Sequence, residues 1–288
     1  MIKLIASDMD GTLLNAKHAI DKATVEAIKA AEKLGITFAI TTGREYDSVK
    51  DHLLENDIRC QCILMNGAEY RDEDGNILEE INIEQKNAIE IVNILQKEKI
   101  SARIFTNKGI YTTDSKEEAL KEVLYRTLSF NPELTEEEAL EIAKTQPFFT
   151  QLKYAENLKE FLNSGIEIRK FVAFHKDVSL INKIKKIISE IEGIAVSSSF
   201  MDNIEITHIT AQKGLILAKV SEKMGLKREE VLVLGDSFND YSMFTEFTES
   251  VAMGNAIPEI KEIAKYITDT NDNLGVAKAI YNILDKQR

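Results

Sequence analysis

The sequence contains few of the residues that mark several common protein classes. Its 288 residues include only three prolines and two cysteines, and its net charge is −12. So few prolines, together with 44% hydrophobic and 29% charged residues, argue against a disordered or linker-rich chain. An acidic chain also lacks the basic footprint that nucleic acid or an anionic membrane surface requires, so we expect neither as a partner.

Long apolar runs and cysteine ligand sets are also missing. No run reaches the roughly 20 apolar residues that span a bilayer. The segment before Asp8 is too short and wrongly flanked for a signal peptide. Cys60 and Cys62 stand one residue apart without obvious Cys or His partners nearby, which indicates reduced, buried thiols on a strand. Together these features predict a cytoplasmic protein.

Short apolar runs alternate with helical periods in the first eighty residues. Ile2–Ser7, Ile36–Thr41 and Cys60–Met65 have the composition of buried parallel strands, and the segments between them have helical periodicity. Strand, helix, strand, helix, strand predicts an α/β fold with a doubly wound, Rossmann-like parallel sheet. The same alternation returns near the C-terminus, where Lys213–Met224 is predicted as a helix and Val231–Leu234 as a strand.

The middle of the chain follows a different pattern. It is richer in Glu and Lys and mixes hairpin signals with helical periods. We therefore predict a core domain formed by residues 1–83 and 201–288, with an inserted α+β domain formed by residues 84–200. The predicted linkers lie near Ile81–Glu84 and Ser199–Asn203.

Polar, glycine-bearing segments follow the predicted core strands. They are Asp8-Met9-Asp10-Gly11-Thr12, Thr42-Gly43-Arg44, Asn66-Gly67 and Gly235-Asp236-Ser237-Phe238-Asn239-Asp240, with Lys213 at the start of a helix. Each segment alone is compatible with a turn, a helix cap or a solvated surface residue. Ligands of open parallel sheets bind outside the carboxyl ends of the strands, where all of these segments would meet. Their combination therefore predicts a functional site.

The residue types of this site suit a phosphate ester. A phosphate monoester is a dianion that repels a carboxylate nucleophile, and two unit charges about 4 Å apart interact by about 4 kcal/mol at an effective dielectric near 20. Mg²⁺ prefers oxygen ligands, which Asp8 and Asp236 can supply, and Lys213 can hold the phosphoryl oxygens.

Further groups complete the predicted chemistry. The Thr42 hydroxyl and the Gly43 N–H, at the start of a helix, can add donors to a phosphate cradle. Asp10 can protonate the leaving oxygen and later activate water.

Asp8-Met9-Asp10-Gly11-Thr12 resembles the first motif of the haloacid dehalogenase-like phosphatases. Their second, third and fourth motifs are similar to Thr42-Gly43-Arg44, Lys213-Gly214 and Gly235-Asp236-Ser237-Phe238-Asn239-Asp240. The insertion between the second and third motifs resembles the α/β cap of the Cof-type branch. The resemblance implies that Asp8 is the nucleophile and a metal ligand. It also implies that Asp10 is the general acid and base, with its backbone carbonyl on the metal.

The resemblance implies roles for four other residues. Asp236 would ligate Mg²⁺, and Asn239 and Asp240 would orient Lys213 and the metal-bound water or phosphate. Asp240 is also a candidate metal ligand, either directly or through water. Asn66 would line the site.

The predicted function is that of a Mg²⁺-dependent phosphatase acting on small phosphate monoesters, such as sugar phosphates, through an aspartyl phosphate. A phosphomutase with the same nucleophile and a non-catalytic phosphometabolite-binding protein are the alternatives. The expected partner is a small phosphorylated metabolite, and the chain is expected to be a monomer or a small homo-oligomer. The inserted domain should set substrate choice. Five of its polar positions are candidates for facing the site, but each is expected to be an ordinary solvated residue: Arg103, Lys108, Arg169, Lys170 and His175.

Overall fold

The structure, a computed structural model, describes residues 1–155 and 157–287, with the backbone alone at positions 130, 148, 158 and 159. The chain divides into two compact units. The first unit is built from both ends of the chain, Met1–Ile81 and Ile209–Arg288, and the second is the continuous segment Asn82–His208.

The first part of the first unit contains β1 (Leu4–Ser7), α1 (Lys22–Glu32), β2 (Thr37–Thr41), α2 (Asp47–Glu55), β3 (Gln61–Leu64), β4 (Glu69–Arg71) and β5 (Ile77–Glu80). The second unit contains α3 (Gln85–Lys97), β6 (Ala102–Thr106), β7 (Gly109–Thr112), α4 (Lys116–Phe130), α5 (Glu136–Thr145), α6 (Pro147–Thr150), β8 (Lys153–Tyr154), α7 (Leu158–Asn163), β9 (Ile168–Phe174), α8 (Val178–Ser189), β10 (Ile194–Ser197) and β11 (Asn203–His208). The chain then returns to the first unit with α9 (Lys213–Lys223), β12 (Val231–Gly235), α10 (Tyr241–Glu246), β13 (Glu249–Ala252), α11 (Pro258–Ile263), β14 (Tyr266–Ile267) and α12 (Gly275–Gln287). Among these described elements, no helix has both the length and the hydrophobicity needed to cross a membrane.

The first unit contains a sheet with the strand order β14-β13-β12-β1-β2-β3-β4-β5. All neighbouring strands from β14 to β3 are parallel, and β4 and β5 add an antiparallel edge. Every residue of Leu4–Ser7 is buried, as expected of a continuous apolar run in a sheet covered on both faces. The predicted doubly wound α/β class is confirmed.

The strand order reverses between β1 and β12. The chain moves outward from β1 to β2 and β3 on one side, and from β12 to β13 and β14 on the other. β1 and β12 are paired directly, with Ser7 opposite Leu234. Open α/β sheets bind ligands at such a switch point, and Asp8 and Asp236 are the residues that follow these two strands.

The second unit contains a sheet with the order β10-β11-β9-β6-β7-β8, antiparallel except between β7 and β8. Helices α3 and α8 contribute Ile91, Leu95, Ile181 and Ile184 to its hydrophobic core. β11 pairs with both β9 and β10, so the second unit extends to His208. The expected linker at Ser199–Asn203 is wrong, because this segment is the turn that joins β10 to β11.

Three of the polar positions predicted to be solvated in the second unit are buried. Arg103, Arg169 and Lys170 lie on β6 and β9, in the middle of the sheet, and each is at most 7% exposed. Lys170 is paired with Glu205 of β11 at 2.8 Å, and Arg103 is paired with Glu122 of α4. For Lys170 and Arg103 the prediction failed because carboxylates on other elements compensate their charges. Lys108 is exposed in the β6–β7 turn, and His175 is half-buried after β9.

Candidate active site

A buried lysine joins two carboxylates at the edge of the first sheet. Lys213 is the first residue of α9, and its Nζ donates hydrogen bonds of 2.6 Å to Asp8 Oδ1 and to Asp240 Oδ1. Lys213 and Asp240 have no exposed surface, and Asp8 is 4% exposed. Charge-assisted hydrogen bonds of this length are strong, and because the three side chains are buried, we expect these bonds to fix them relative to one another.

Asp236 completes the acidic group from the end of β12. Its Oδ1 accepts a hydrogen bond of 3.0 Å from the Thr12 hydroxyl, and its Oδ2 accepts one of 2.9 Å from the Ser237 hydroxyl. Gly11, with φ of +76°, passes so close to this carboxylate that a Cβ there would overlap it. The Asp-Gly-Thr turn after β1 is therefore shaped to hold the Asp236 side chain.

Asp240 uses both of its carboxylate oxygens within the protein. Oδ1 accepts from Lys213, and Oδ2 accepts from the backbone N–H groups of Asp236 and Ser237 at 2.9 and 3.1 Å. These bonds close the loop after β12 around one side chain. Asp240 therefore positions both Lys213 and Asp236.

Asp8, Asp236 and Asp240 form a buried group of carboxylates in which one oxygen from each lies within 4.8 Å of the others. Burial, followed by the negative charge of Asp240, raises the pKa of Asp8 well above its usual value. The same two causes raise the pKa of Asp236 to about 7. Burial disfavours the ammonium of Lys213, but attraction to Asp240 and Asp8 outweighs it and raises the pKa of Lys213. Lys213 therefore stays charged.

The donor set fits a divalent cation. Three carboxylates in this group face one ammonium, so a fully ionised site carries an excess of negative charge. Burying unpaired charge is costly, and the raised pKa values of Asp8 and Asp236 express that cost. Carboxylate oxygens are the ligands that Mg²⁺ prefers.

Thr42 and Gly43 follow β2, the strand beside β1. Thr42 is fully buried, and its carbonyl oxygen accepts a hydrogen bond of 2.9 Å from the backbone N–H of Asn66. The expectation that Gly43 lies at a helix start is wrong, because α2 begins only at Asp47. The Thr42 hydroxyl accepts a hydrogen bond of 3.2 Å from the backbone N–H of Arg44, a contact within the same loop.

The two predicted asparagines occupy different places. Asn66 is buried after β3 and has left-handed backbone angles, which asparagine tolerates better than most residues. Asn239 is half-buried in the short 3₁₀ helix Phe238–Asp240, directly before Asp240. Both residues thus lie on loops that follow core strands, as the sequence predicted.

Asp10 does not belong to the buried carboxylate group in the described part of the chain. Its side chain is 42% exposed and is bound by the guanidinium of Arg44. Arg44 Nε donates to Asp10 Oδ2 at 2.8 Å, and Nη2 donates to Oδ1 at 2.6 Å. This two-pronged pair was not predicted, although Arg44 follows Thr42 and Gly43 in the same motif.

Sequence reasoning also missed the groups that support the site. Thr12 and Ser237 hold Asp236, and His52 on α2 contacts Arg44 Nη1 at 3.3 Å through Nε2. Thr12 and Ser237 belong to motifs that the sequence analysis recognised, so they could have been identified as supporting residues. No sequence pattern identifies His52, because its proximity to Arg44 depends on how α2 packs after the β2 loop.

Comparisons with known proteins identify the family of this fold and site. The family model of the haloacid dehalogenase-like hydrolases matches residues 5–280. The chain belongs to this family. A haloacid dehalogenase-like hydrolase from Bacillus subtilis has a solved structure that matches with a TM-score of 0.85 and 31% identity, covering 98% of this chain and all of the other.

Two relatives from Bacillus subtilis (strain 168) are named phosphatases. Phosphatase YwpJ is 32% identical over 98% of this chain and 100% of its own length. The 5-amino-6-(5-phospho-D-ribitylamino)uracil phosphatase YwtE is 30% identical over 99% of both chains. The resemblance to haloacid dehalogenase-like, Cof-type phosphatases is confirmed, and the chain is an enzyme of this phosphatase class.

Proposed function

We propose that this haloacid dehalogenase-like enzyme hydrolyses small phosphate monoesters with Asp8 as the nucleophile and Mg²⁺ as the cofactor. The observation that carries the proposal is the position of the Asp8 carboxylate. It lies at the switch point of the sheet, bound to Lys213 and grouped with Asp236. A carboxylate held beside a fixed cation can attack phosphorus when the negative charge of the phosphoryl oxygens is compensated.

Asp8 and Asp236 are the carboxylates that we assign to Mg²⁺. Asp240 is a poorer candidate for direct ligation, because both of its oxygens already bind donors of the protein. When bound, the cation compensates the charge of the phosphoryl group as it is transferred. Asp10, whose backbone carbonyl is the remaining predicted ligand, keeps its carboxylate for proton transfer.

Lys213 binds the phosphoryl oxygens in this proposal. Its ammonium remains charged at neutral pH and is already fixed by Asp240, so little rearrangement is needed when phosphate arrives. Thr42 and Gly43, at the end of the neighbouring strand, add donors to the same oxygens. Asn66 and Asn239 line the site from the loops after β3 and β12.

The reaction proceeds in two displacements at phosphorus, with Asp8 as the nucleophile of the first and the leaving group of the second. Asp8 attacks phosphorus, the bond to the leaving oxygen breaks, and Asp10 gives its proton to that oxygen. The Asp10 carboxylate then removes a proton from water, which attacks the aspartyl phosphate and releases inorganic phosphate and free Asp8. One residue thus serves as acid and then as base.

Substrates of the proposed reaction are phosphorylated metabolites with an alcohol leaving group. YwtE is named for a phosphorylated ribityl chain on a uracil ring. We therefore place that compound in the substrate panel, beside sugar phosphates and p-nitrophenyl phosphate.

Release of inorganic phosphate from this panel tests the proposal. With Mg²⁺ the enzyme should hydrolyse several panel members without an added bisphosphate activator, and EDTA should stop turnover until Mg²⁺ is restored. Asp8→Asn should lower kcat on the order of 10³-fold or more, because the nucleophile is lost. Asp51→Asn, at an exposed position on α2, is the matched control and should retain activity.

Three results would contradict the proposal. Turnover by Asp8→Asn would exclude this nucleophile, and turnover in EDTA would exclude the metal. A requirement for a sugar bisphosphate, with transfer of phosphate to sugar in place of water, would indicate a phosphomutase.

A further inference from the structure

The Arg44–Asp10 pair connects the ends of two neighbouring core strands. Asp10 stands in the turn after β1, and Arg44 stands in the loop after β2. Two hydrogen bonds of 2.8 and 2.6 Å join the guanidinium to both oxygens of the carboxylate. A two-pronged contact of this kind fixes the plane and direction of a carboxylate, which a single-point contact cannot do.

Arg44 is itself held in place from three sides. Its carbonyl oxygen accepts a hydrogen bond of 2.9 Å from the Met65 N–H, and Nη1 lies 3.4 Å from the Ser48 carbonyl oxygen. Nη1 also lies 3.3 Å from His52 Nε2. Burial and the nearby Arg44 charge lower the pKa of His52, so its neutral ring can accept this hydrogen bond. The guanidinium is therefore a fixed support for Asp10.

Asp10 needs such a support because its side chain is otherwise in contact with solvent. It is 42% exposed, whereas Asp8 and Asp236 are buried and held by several groups. An exposed aspartate samples several rotamers, and proton transfer requires one of them. In the acid step, the protonated oxygen of Asp10 faces the leaving group while the other oxygen keeps one Arg44 contact. Once the proton has left, both oxygens of the carboxylate accept from Arg44, as in the structure.

We propose that Arg44 is a positioning residue that fixes the Asp10 side chain for transfer of its carboxyl proton to the leaving oxygen, with His52 supporting Arg44. This inference rests on the proposed function. It assigns Arg44 to the leaving-group side of the reaction. Direct binding of the phosphate by Arg44 is the competing role, and the two roles predict different dependences on the leaving group.

A pair of substrates with different leaving groups tests the proposal. p-Nitrophenolate is weakly basic and departs without a proton, whereas the alkoxide of a sugar phosphate must be protonated. The quantity to measure is kcat/KM, which covers the steps up to transfer of phosphate to Asp8. In Arg44→Gln, we expect kcat/KM to fall about 10²-fold for the sugar phosphate and to change less than about threefold for p-nitrophenyl phosphate.

The matched control is Arg59→Gln. Arg59 also pairs with an aspartate, Asp74, but both side chains are more than 60% exposed. Arg59 precedes β3 and therefore lies at the opposite edge of the parallel sheet from the site. This variant should leave kcat/KM unchanged for both substrates.

Comparing the loss of kcat/KM on the two substrates distinguishes the possible roles of Arg44. Equal losses on both substrates would assign Arg44 to phosphate binding or to folding and overturn the proposal, and so would wild-type values on both. A partly unfolded variant lowers both values equally, so misfolding cannot imitate the expected result. If the wild-type enzyme hydrolyses neither ester, the proposed function fails instead, and that result appears before any variant is made.

Discussion

At the scale of single residues, the acidic group of the first unit contains carboxyl groups whose pKa is raised by burial and by neighbouring charge. Burial and the charge of Asp240 raise the pKa of Asp236 from 3.8 to about 7, and they raise that of Asp8 in the same direction. At pH values between 3.8 and about 7, Asp236 is protonated in the folded protein and ionised in the unfolded chain. Since stability falls with rising pH wherever the folded state binds more protons, the metal-free protein should lose stability from about pH 4 to about pH 7.

Mg²⁺ should reverse this loss, because it binds the ionised carboxylates and competes with protons. At 100 times its dissociation constant, a ligand stabilises a protein by about 2.7 kcal/mol. That value corresponds to a rise in melting temperature of about 5 °C for a chain of this size. We expect such a rise at pH 8 and almost none at pH 5, measured by calorimetry with and without Mg²⁺. Asp236→Asn should abolish the difference between the rises in melting temperature at pH 8 and pH 5, whereas the control Asp51→Asn should keep it. Equal rises at both pH values would contradict the coupling of Mg²⁺ binding to the protonation of Asp236.

The composition of the site was largely visible in the sequence, but its internal pairing was not. Strand ends of a parallel sheet meet at one edge, so Asp8, Lys213 and Asp236 could be placed together from their positions in the chain alone. The pairing of Asp10 with Arg44 depends on side-chain rotamers and on the path of the β2 loop. The error at Gly43 has the same origin, since four residues separate Thr42 from the start of α2.

At the scale of secondary-structure elements, the packing of α9 against α10 determines where Lys213 points. Gly214 follows Lys213, and its N–H donates a hydrogen bond of 2.9 Å to the Ser242 hydroxyl. A Cβ at Gly214 would lie well inside the van der Waals distance of the Ser242 carbonyl oxygen. The close approach of these two helices therefore requires glycine at this position.

Gly214→Ala distinguishes packing from helix propensity. Propensity alone predicts a gain of about 1 kcal/mol for alanine inside a helix. Overpacking costs about 1–3 kcal/mol, and a displaced hydrogen bond adds about 1 kcal/mol, so we expect a net loss of roughly 2 kcal/mol. Urea unfolding measures the difference, with the exposed Lys223→Ala on the same helix as a near-neutral control. An unchanged or higher midpoint of the urea transition in Gly214→Ala would show that α9 and α10 can move apart without a loss in the free energy of unfolding.

The strands that the sequence missed differ from those that it predicted in polarity or in length. Strands buried on both faces by apolar contacts, such as Leu4–Ser7, appear as continuous hydrophobic runs. β11 alternates isoleucine with Asn203, Glu205 and Thr207, all of which are buried. Glu205 is buried because Lys170 compensates it, and no local pattern reveals a partner on another strand. β14 was missed because it has only two residues, both exposed.

At the scale of the whole molecule, the two units differ in how the chain builds them. The second unit is one continuous segment with its own sheet and its own hydrophobic core. In the first unit, β1 is paired with β12, which lies more than 200 residues further along the chain. Residues 1–81 alone would leave one edge of β1 unpaired and exposed.

The segment Asn82–His208 should therefore fold when it is produced alone, whereas residues 1–81 should not. The excised second unit has about 130 residues, a common domain size, and keeps every strand pairing of its sheet. We expect a single cooperative urea transition by circular dichroism and well-dispersed amide resonances for this fragment, and neither for residues 1–81. Its buried pair Lys170–Glu205 provides an internal check, because Glu205→Gln removes one partner of a buried ion pair and should cost about 3–5 kcal/mol. A fragment without a cooperative transition would show that the second unit depends on the rest of the chain for its stability.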